Sequence, residues 1–314
     1  MTLLLKRHEV SDLLDMRQVI QLTEAVFLEQ AKGNVQAWAP FVVGHDDYEL
    51  RVNAGSLSGL RLVGLRAGMG KAGSQLLLYS TREERLLAIM AYPISYYRVG
   101  ATVGLAVDKL AKSDARCMVM VGTGRIASLS LEAIVCLRKF ERVLVHSRTD
   151  ESRRNFCSMA SRRCGIQADP VSDLEPAVRQ ADVVVVATSA EGPVIRGSWL
   201  AEGAHVSTAG IRHEIDDETY LRANLLVVAS REQEERFIAD AGADNILLRL
   251  LSEGKLHWRD IPELGEVISE KKVRPSGISV FRESQGGFGD LILAHRLYER
   301  AKELGRGIEI NFNE

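Results

Sequence analysis

Residues 116–137 read RCMVMVGTGRIASLSLEAIVCL, and the rest of the chain is organised around them. The apolar run from Cys117 to Val121 breaks at Gly122-Thr123-Gly124. Ala127 stands where the third glycine of a G-x-G-x-x-G/A pattern belongs. Apolar residues then recur at helical spacing at Leu129, Ala133, Ile134 and Leu137. The pattern is strand, glycine turn, helix. Gly122 permits the tight turn, Gly124 lets the backbone approach a pyrophosphate, and Ala127 lets the helix pack against the strand. The helix start adds N–H groups and the positive end of a dipole. Gly122, Thr123, Gly124, Arg125 and Ile126 are therefore the expected diphosphate-binding residues.

The second strand bears on which dinucleotide. Arg142 to Ser147 reads RVLVHS and runs into Arg148-Thr149-Asp150. NAD-binding units place an acidic residue at the end of this strand to take the ribose 2′-hydroxyl. Here Ser147, Arg148 and Thr149 occupy that place. A carboxylate would repel a 2′-phosphate, whereas an arginine pairs with it and stacks on adenine. NADP(H) is the expected cofactor. NAD(H) is the alternative, if Arg148 is only a solvated loop residue.

From Ala115 onward strands alternate with helices. A helix is expected from about Glu151 to Arg163, a short strand near Ile166, and a helix over Val171–Gln180 with Ser172 as N-cap. Asp182 to Thr188 is a continuous β-branched run, as buried parallel strands require. His205–Gly210 and Leu225–Ser230 follow as further strands. The order predicts an α/β fold, a doubly wound Rossmann sheet over 114–289. The carboxyl edge of such a sheet binds ligand, so Ala187, Thr188 and Ser189 are expected near the nicotinamide ribose. Ala209 and Gly210 leave room for the ring. Ahead of it, Val10–Ala31 reads as one helix. Strand-like segments follow near Phe41–Val43, Leu50–Asn53, Leu60–Arg66, Leu76–Ser80 and Leu86–Ala91. Tyr97–Lys112 reads as a helix entering the nucleotide unit, and Asp290–Leu304 as a closing helix. The expected second domain is α+β, residues 1–113 with 290–314, for substrate binding and dimerisation.

The chain has 314 residues, 46% of them hydrophobic, ample for a full core. A net charge of −2 implies no broad basic face for nucleic acid. The four cysteines show no C-x-x-C pair and no histidine nearby, which argues against a structural zinc and suits reduced thiols in the cytoplasm. The opening MTLLLKRHEV is charged too soon for a signal peptide, and no apolar run approaches the ~20 residues of a membrane span. His45 with Asp46 and Asp47 reads as a solvated turn, so no metal site is expected.

Several motifs together resemble the ornithine cyclodeaminase/mu-crystallin family. Arg98-Val-Gly-Ala-Thr is similar to its R-T-A-A helix start, and Arg148-Thr149 to the R-T of its NADPH-using members. His205-Val-Ser-Thr-Ala-Gly210, Glu263-Leu-Gly-Glu-Val-Ile268 and Val280-Phe281 through Asp290 resemble its H-I-N-A-V-G, E-L-G-E-V-I and V-F…D segments. The resemblance implies homodimers built through the N-terminal domain, an active site at the cleft between domains, and hydride transfer at C2 of an amino or imino acid. Three positions depart from the family pattern. Phe41 follows Pro40 where a P-x-R arginine is usual. A lysine that contacts the substrate carboxylate in relatives aligns with Arg61, in Gly59-Leu60-Arg61-Leu62-Val63. The acid expected two residues after Gly210 is Arg212, while Glu214-Ile-Asp216-Asp217 is like the mu-crystallin branch.

Imine reduction asks little of a protein: an electrophilic carbon near nicotinamide C4, a protonated nitrogen and a clamped carboxylate. Arginine suits the clamp. Arg98, at a helix start, is the first candidate, against a structural pairing. Arg61 is the second, its strand pointing it into the cleft or out. Asp290 either orients a water or the nicotinamide end, or caps the last helix. His213 and Glu214 are weaker candidates for proton transfer, and His205 reads as structural. The reading is an NADPH-dependent reductase of a small ketimine or imino acid, or in reverse an amino-acid dehydrogenase. An ornithine-type cyclodeaminase with bound NAD and a non-catalytic NADP(H)-binding protein are the alternatives.

Overall fold

The structure, a computed structural model, describes the chain apart from residues 39, 46–47, 70–72, 93, 211–213, 241–244, 271–275, 284–286 and 313–314, and apart from the side chains of 45, 48, 92 and 236–240. Asp46, Asp47, Arg212 and His213, together with the side chain of His45, thus lie outside the described residues. Two compact units divide the chain, Met1–Arg98 with Gly286–Glu314, and Val99–Gln285. The division falls inside a helix, at Arg98, rather than near residue 113.

In the first unit the elements are β1 (Thr2–Leu5), α1 (Arg7–Asp12), α2 (Met16–Ala31), β2 (Val35–Ala37), β3 (Phe41–His45), β4 (Tyr48–Leu57), β5 (Leu62–Met69), β6 (Gly73–Ser80), β7 (Arg85–Tyr92) and the start of α3 (Ile94–Leu110). The chain returns to it with α11 (Phe288–Glu303) and β15 (Ile308–Ile310). The sheet runs β15-β1-β7-β6-β5-β4-β2, with β3 paired to the far half of β4. Where one helix was expected over Val10–Ala31 there are two. The apolar pattern runs on through Leu13 and Leu14, but Asp15 accepts a hydrogen bond from the Gln18 N–H and starts α2 afresh. An edge-to-face pair, Phe27 with Phe288 at 5.8 Å, ties α2 to the first turn of α11.

The second unit holds β8 (Cys117–Val121), α4 (Arg125–Leu137), β9 (Arg142–His146), α5 (Asp150–Met159), β10 (Asp169–Pro170), α6 (Leu174–Arg179), β11 (Val183–Val186), β12 (His205–Thr208), α7 (Asp217–Leu221), β13 (Leu225–Val228), α8 (Arg231–Asp240), α9 (Ile246–Ser252), α10 (Leu264–Glu270) and β14 (Ser279–Arg282). Its 7-stranded parallel sheet has the order β10-β9-β8-β11-β12-β14-β13, a doubly wound arrangement. Four strands, β8, β11, β12 and β14, are buried at every position, as a sheet covered on both faces requires. Met118 and Met120 of β8 pack with Val103 and Val107 of α3 and Leu131 of α4 on one face. Val119 and Val121 face Val184, Val186 and Val206 on the other. The short strand expected near Ile166 lies at Asp169–Pro170. The helix expected from Val171 begins only at Leu174, with Asp173 rather than Ser172 in the N-cap position.

Candidate functional site

In the second unit the carboxyl ends of β8, β9, β11 and β12 form one edge, and the glycine turn sits at its centre. Gly122 has φ +104°, and a Cβ there would lie 2.2 Å from the Ala187 carbonyl oxygen. Both conformation and closeness demand glycine. Gly124 differs. Its φ of −78° suits any residue, and a Cβ would meet nothing within 4 Å. The protein's own packing gives no reason for glycine there, whereas a diphosphate laid on the turn does. Gly124 is the N-cap of α4 and no side chain caps that helix start, so backbone N–H groups are left for an anion. Thr123 is half-buried, Arg125 is exposed and Ile126 half-buried beside them, while Ala127 is fully buried.

At the end of β9, Arg148 is exposed and Ser147 half-buried. Thr149 has a structural task, since its hydroxyl accepts from the Ser152 N–H and caps α5. Two residues the sequence reading passed over shape this corner. Arg153 donates to the Ser147 carbonyl at 2.7 Å and to Asp150 at 3.3 Å, and Arg154 donates to the other Asp150 oxygen at 2.6 Å. The nearest following carboxylate is thus already held by two guanidinium groups. The signal was the Arg153-Arg154 pair one helical turn beyond Asp150.

At the ends of β11 and β12, Ala187, Ala209 and Gly210 are buried, Thr188 half-buried and Ser189 exposed. Glu214 joins them. Its carboxylate accepts from the Thr188 N–H at 2.5 Å, the Thr188 hydroxyl at 2.8 Å and the Gly210 N–H at 2.8 Å. Burial outweighs the opposing Thr188 and Gly210 hydrogen bonds and the Arg282 charge, and leaves its pKa above the usual carboxylate range. Glu214 is therefore a buried tie, not an accessible group for moving protons. Behind it Arg282 donates to Glu234 at 2.8 Å with both side chains buried. His205 is fully buried between Ser207 and Ser279, a structural residue as expected.

In the first unit, Arg98 of α3 and Arg66 of β5 converge on Asp290 of α11. Arg98 Nε donates to Asp290 Oδ1 at 2.9 Å, and Arg66 Nε lies 3.4 Å from Oδ2. The side chains are 4%, 17% and 2% exposed for Arg98, Arg66 and Asp290. Two guanidinium groups thus meet on one buried carboxylate, and Arg66 is the most exposed of the three side chains. Asp290 is not the N-cap of α11, a place taken by Gly287. It sits in the first turn, where a negative charge also meets the helix dipole.

Arg61 is not brought to this cluster. It stands exposed in a turn after β4, with φ +56°, its carbonyl held by the Thr81 N–H at 2.8 Å. The tripeptide Gly-Leu-Arg occurs twice, at 59–61 and 64–66, and the structure puts the second copy beside Asp290. Asn53, directly across from Arg66 on β4 and buried, was also missed. Phe41 lies exposed on β3. Among the described residues no group of His, Cys, Asp or Glu is placed to hold a metal, and no helix is long and apolar enough to cross a membrane.

Comparison with known proteins agrees with this architecture. The Δ1-pyrroline-2-carboxylate reductase of Bacillus cereus is 31% identical over 228 residues, covering 70% of this chain and 68% of its own. The structure of the Thermococcus litoralis Δ1-pyrroline-2-carboxylate reductase in complex with NADH and L-proline superposes with a TM-score of 0.88 at 26% identity, over 98% of this chain and all of that one. An archaeal alanine dehydrogenase dimer with bound NAD gives 0.86 at 26% identity, over 99% of both chains. The profile of the ornithine cyclodeaminase/mu-crystallin family matches residues 1–305, and the chain belongs to that family.

Proposed function

We propose that this protein is an NAD(P)H-dependent reductase of a small cyclic ketimine or imino acid, able in reverse to act as an amino-acid dehydrogenase. The observation that carries the reading is the Arg66–Arg98–Asp290 cluster, in which two guanidinium groups of the kind that clamp a carboxylate are held in place by one acid. The relatives named above as reductases and dehydrogenases of small amino or imino acids support it. The bound nicotinamide supplies the hydride. The chain's own residues bind and orient: Arg66 and Arg98 grip the carboxylate, and Asp290 holds the two guanidinium groups in place. No nucleophile is needed, because a protonated imine is already the electrophile.

Gly122 to Ile126 bind the diphosphate, Ser147, Arg148 and Thr149 the adenosine end, and Ala187, Thr188, Ser189, Ala209 and Gly210 the nicotinamide end. NADP(H) is the preferred cofactor, because Arg148 meets no acid at the strand end and Asp150 is held by Arg153 and Arg154. Oxidation of NADPH and of NADH is to be followed against Δ1-pyrroline-2-carboxylate, Δ1-piperideine-2-carboxylate, iminosuccinate, and pyruvate or glyoxylate with ammonia or methylamine. Turnover of at least one imine is expected, with NADPH favoured by roughly tenfold or more, the worth of one charge-assisted pair. Silence across the panel with dinucleotide bound sinks the reductase. Equal kcat/KM for the two coenzymes removes Arg148 from the cofactor site.

The working form is a homodimer through the first unit. Phe41, Val43, Val63 and Met69 are exposed on one face of the neighbouring strands β3 and β5, either side of β4, with Trp38 exposed in the segment before β3, an apolar surface of the kind that interfaces cover. Sedimentation should give twice the chain mass of 34.7 kDa; a monomer at micromolar concentration would refute it.

A further inference from the structure

The Glu214 side chain is 1% exposed, yet it lies against the edge that the proposed function gives to the nicotinamide end. Three donors from two separate strand ends converge on it, the Thr188 N–H and hydroxyl after β11 and the Gly210 N–H after β12. A carboxyl group can accept on both oxygens, as donors arriving from two strand ends require, whereas an amide of the same size can accept on only one. The fit is close: a Cβ on Gly210 would fall 2.5 Å from the Glu214 carboxyl carbon, so glycine at 210 is what admits the carboxylate. Glu214 is itself anchored, its carbonyl accepting from the Val194 and Ile195 N–H groups at 2.9 and 3.2 Å. On the other side, the Thr188 hydroxyl accepts from the Ala190 N–H at 3.2 Å. The Thr188 methyl would lie 3.2 Å from a Cβ on Gly122. One carboxylate thus links the loop after β11, the end of β12 and, through Thr188, the glycine turn.

We propose that Glu214 is a positioning residue for the dinucleotide, fixing Thr188–Ala190 and Ala209–Gly210 as one platform under its nicotinamide half while leaving the adenosine half to β9. The inference rests on the proposed cofactor site and adds a residue that touches no reactant. Replacing the carboxylate with an amide keeps the size but turns one acceptor into a donor, which then faces the Gly210 N–H.

The test compares the full-length protein with Glu214→Gln by fluorescence titration with NADPH and with 2′,5′-ADP, which carries only the adenosine end. The variant is expected to lose about tenfold or more in NADPH affinity, the loss of one buried hydrogen bond with its donor left facing another donor. Its affinity for 2′,5′-ADP is expected to stay within about twofold of the parent's. Thr188→Val removes one of the three donors without changing shape and should show the same split, smaller in size. Unchanged NADPH affinity in folded Glu214→Gln overturns the proposal, as does equal weakening of both ligands, which a merely structural role would give. If Glu214→Gln does not fold, Glu214→Asp, which keeps the charge but draws the carboxylate back from both strand ends, decides: the split supports the proposal and its absence overturns it. A parent protein that binds neither NADPH nor NADH overturns the cofactor site itself, and this inference with it.

Discussion

Arg98→Ala is expected to lower kcat/KM for the imine by about two to three orders of magnitude while leaving NADPH affinity within about twofold. A charge-assisted hydrogen bond to a substrate carboxylate contributes roughly 1.5–3 kcal/mol, and loss of orientation costs up to about another hundredfold. The variant also disturbs the fold. Arg98 and Asp290 are both almost fully buried, and removing one partner of a buried pair costs about 3–5 kcal/mol when the other is left uncompensated. Here Arg66 stays 3.4 Å from Asp290, so the stability loss should fall below that range. Arg98→Lys separates the two effects. It keeps the charge beside Asp290 and loses the planar fork, so it should melt near the parent yet lose about tenfold or more in kcat/KM. Steady-state kinetics with calorimetry decides: a folded Arg98→Lys or Arg98→Ala variant with parental kcat/KM removes Arg98 from the substrate site.

The contrast between Arg98 and Arg61 shows what the sequence could and could not convey. Arg98 was singled out as lying at a helix start and by the pattern that follows it, but α3 begins at Ile94, and its pairing with Asp290 could not be read from the sequence. Arg61 and Arg66 carry the same local tripeptide, and only pairing of β5 with β4 and β6 shows which of them lies in a strand beside α11. The nucleotide unit was legible for a related reason. Strands covered on both faces are continuous β-branched runs, and Val183 to Val186 cannot be mistaken. Strand β14 hid because it ends in Arg282, a charge no buried strand advertises. That charge is tolerated because Glu234 meets it from α8. Glu214 hid as well. A glutamate four residues after a glycine reads as a solvated loop residue until the ends of β11 and β12 are seen to converge on it. In each case the missing information was long-range pairing, which composition and periodicity do not hold.

Glycine substitutions at the dinucleotide turn should divide just as sharply. Gly122→Ala places a methyl 2.2 Å from the Ala187 carbonyl oxygen and 2.8 Å from its carbon, and both are backbone atoms. Neither side can yield cheaply. The Ala187 N–H is bonded to the Val121 carbonyl at 2.9 Å, and Thr188 is held by Glu214. The φ of +104° alone costs a non-glycine residue about 1–3 kcal/mol. Gly122→Ala is therefore expected to lower stability by at least that amount and NADPH affinity by about a hundredfold or more. Gly124→Ala should disturb the fold far less. Its backbone angles suit alanine and its methyl would enter open space, so the gain of about 0.4–1 kcal/mol through the unfolded state should be offset by the poorer N-cap that alanine makes, leaving stability within about 1 kcal/mol of the parent. Its NADPH affinity should nevertheless fall by about tenfold or more, because the methyl occupies the ground on which the diphosphate lies. Thermal unfolding beside NADPH titration reads both variants. A Gly124→Ala protein that binds NADPH as tightly as its parent would mean that the diphosphate does not rest on this turn.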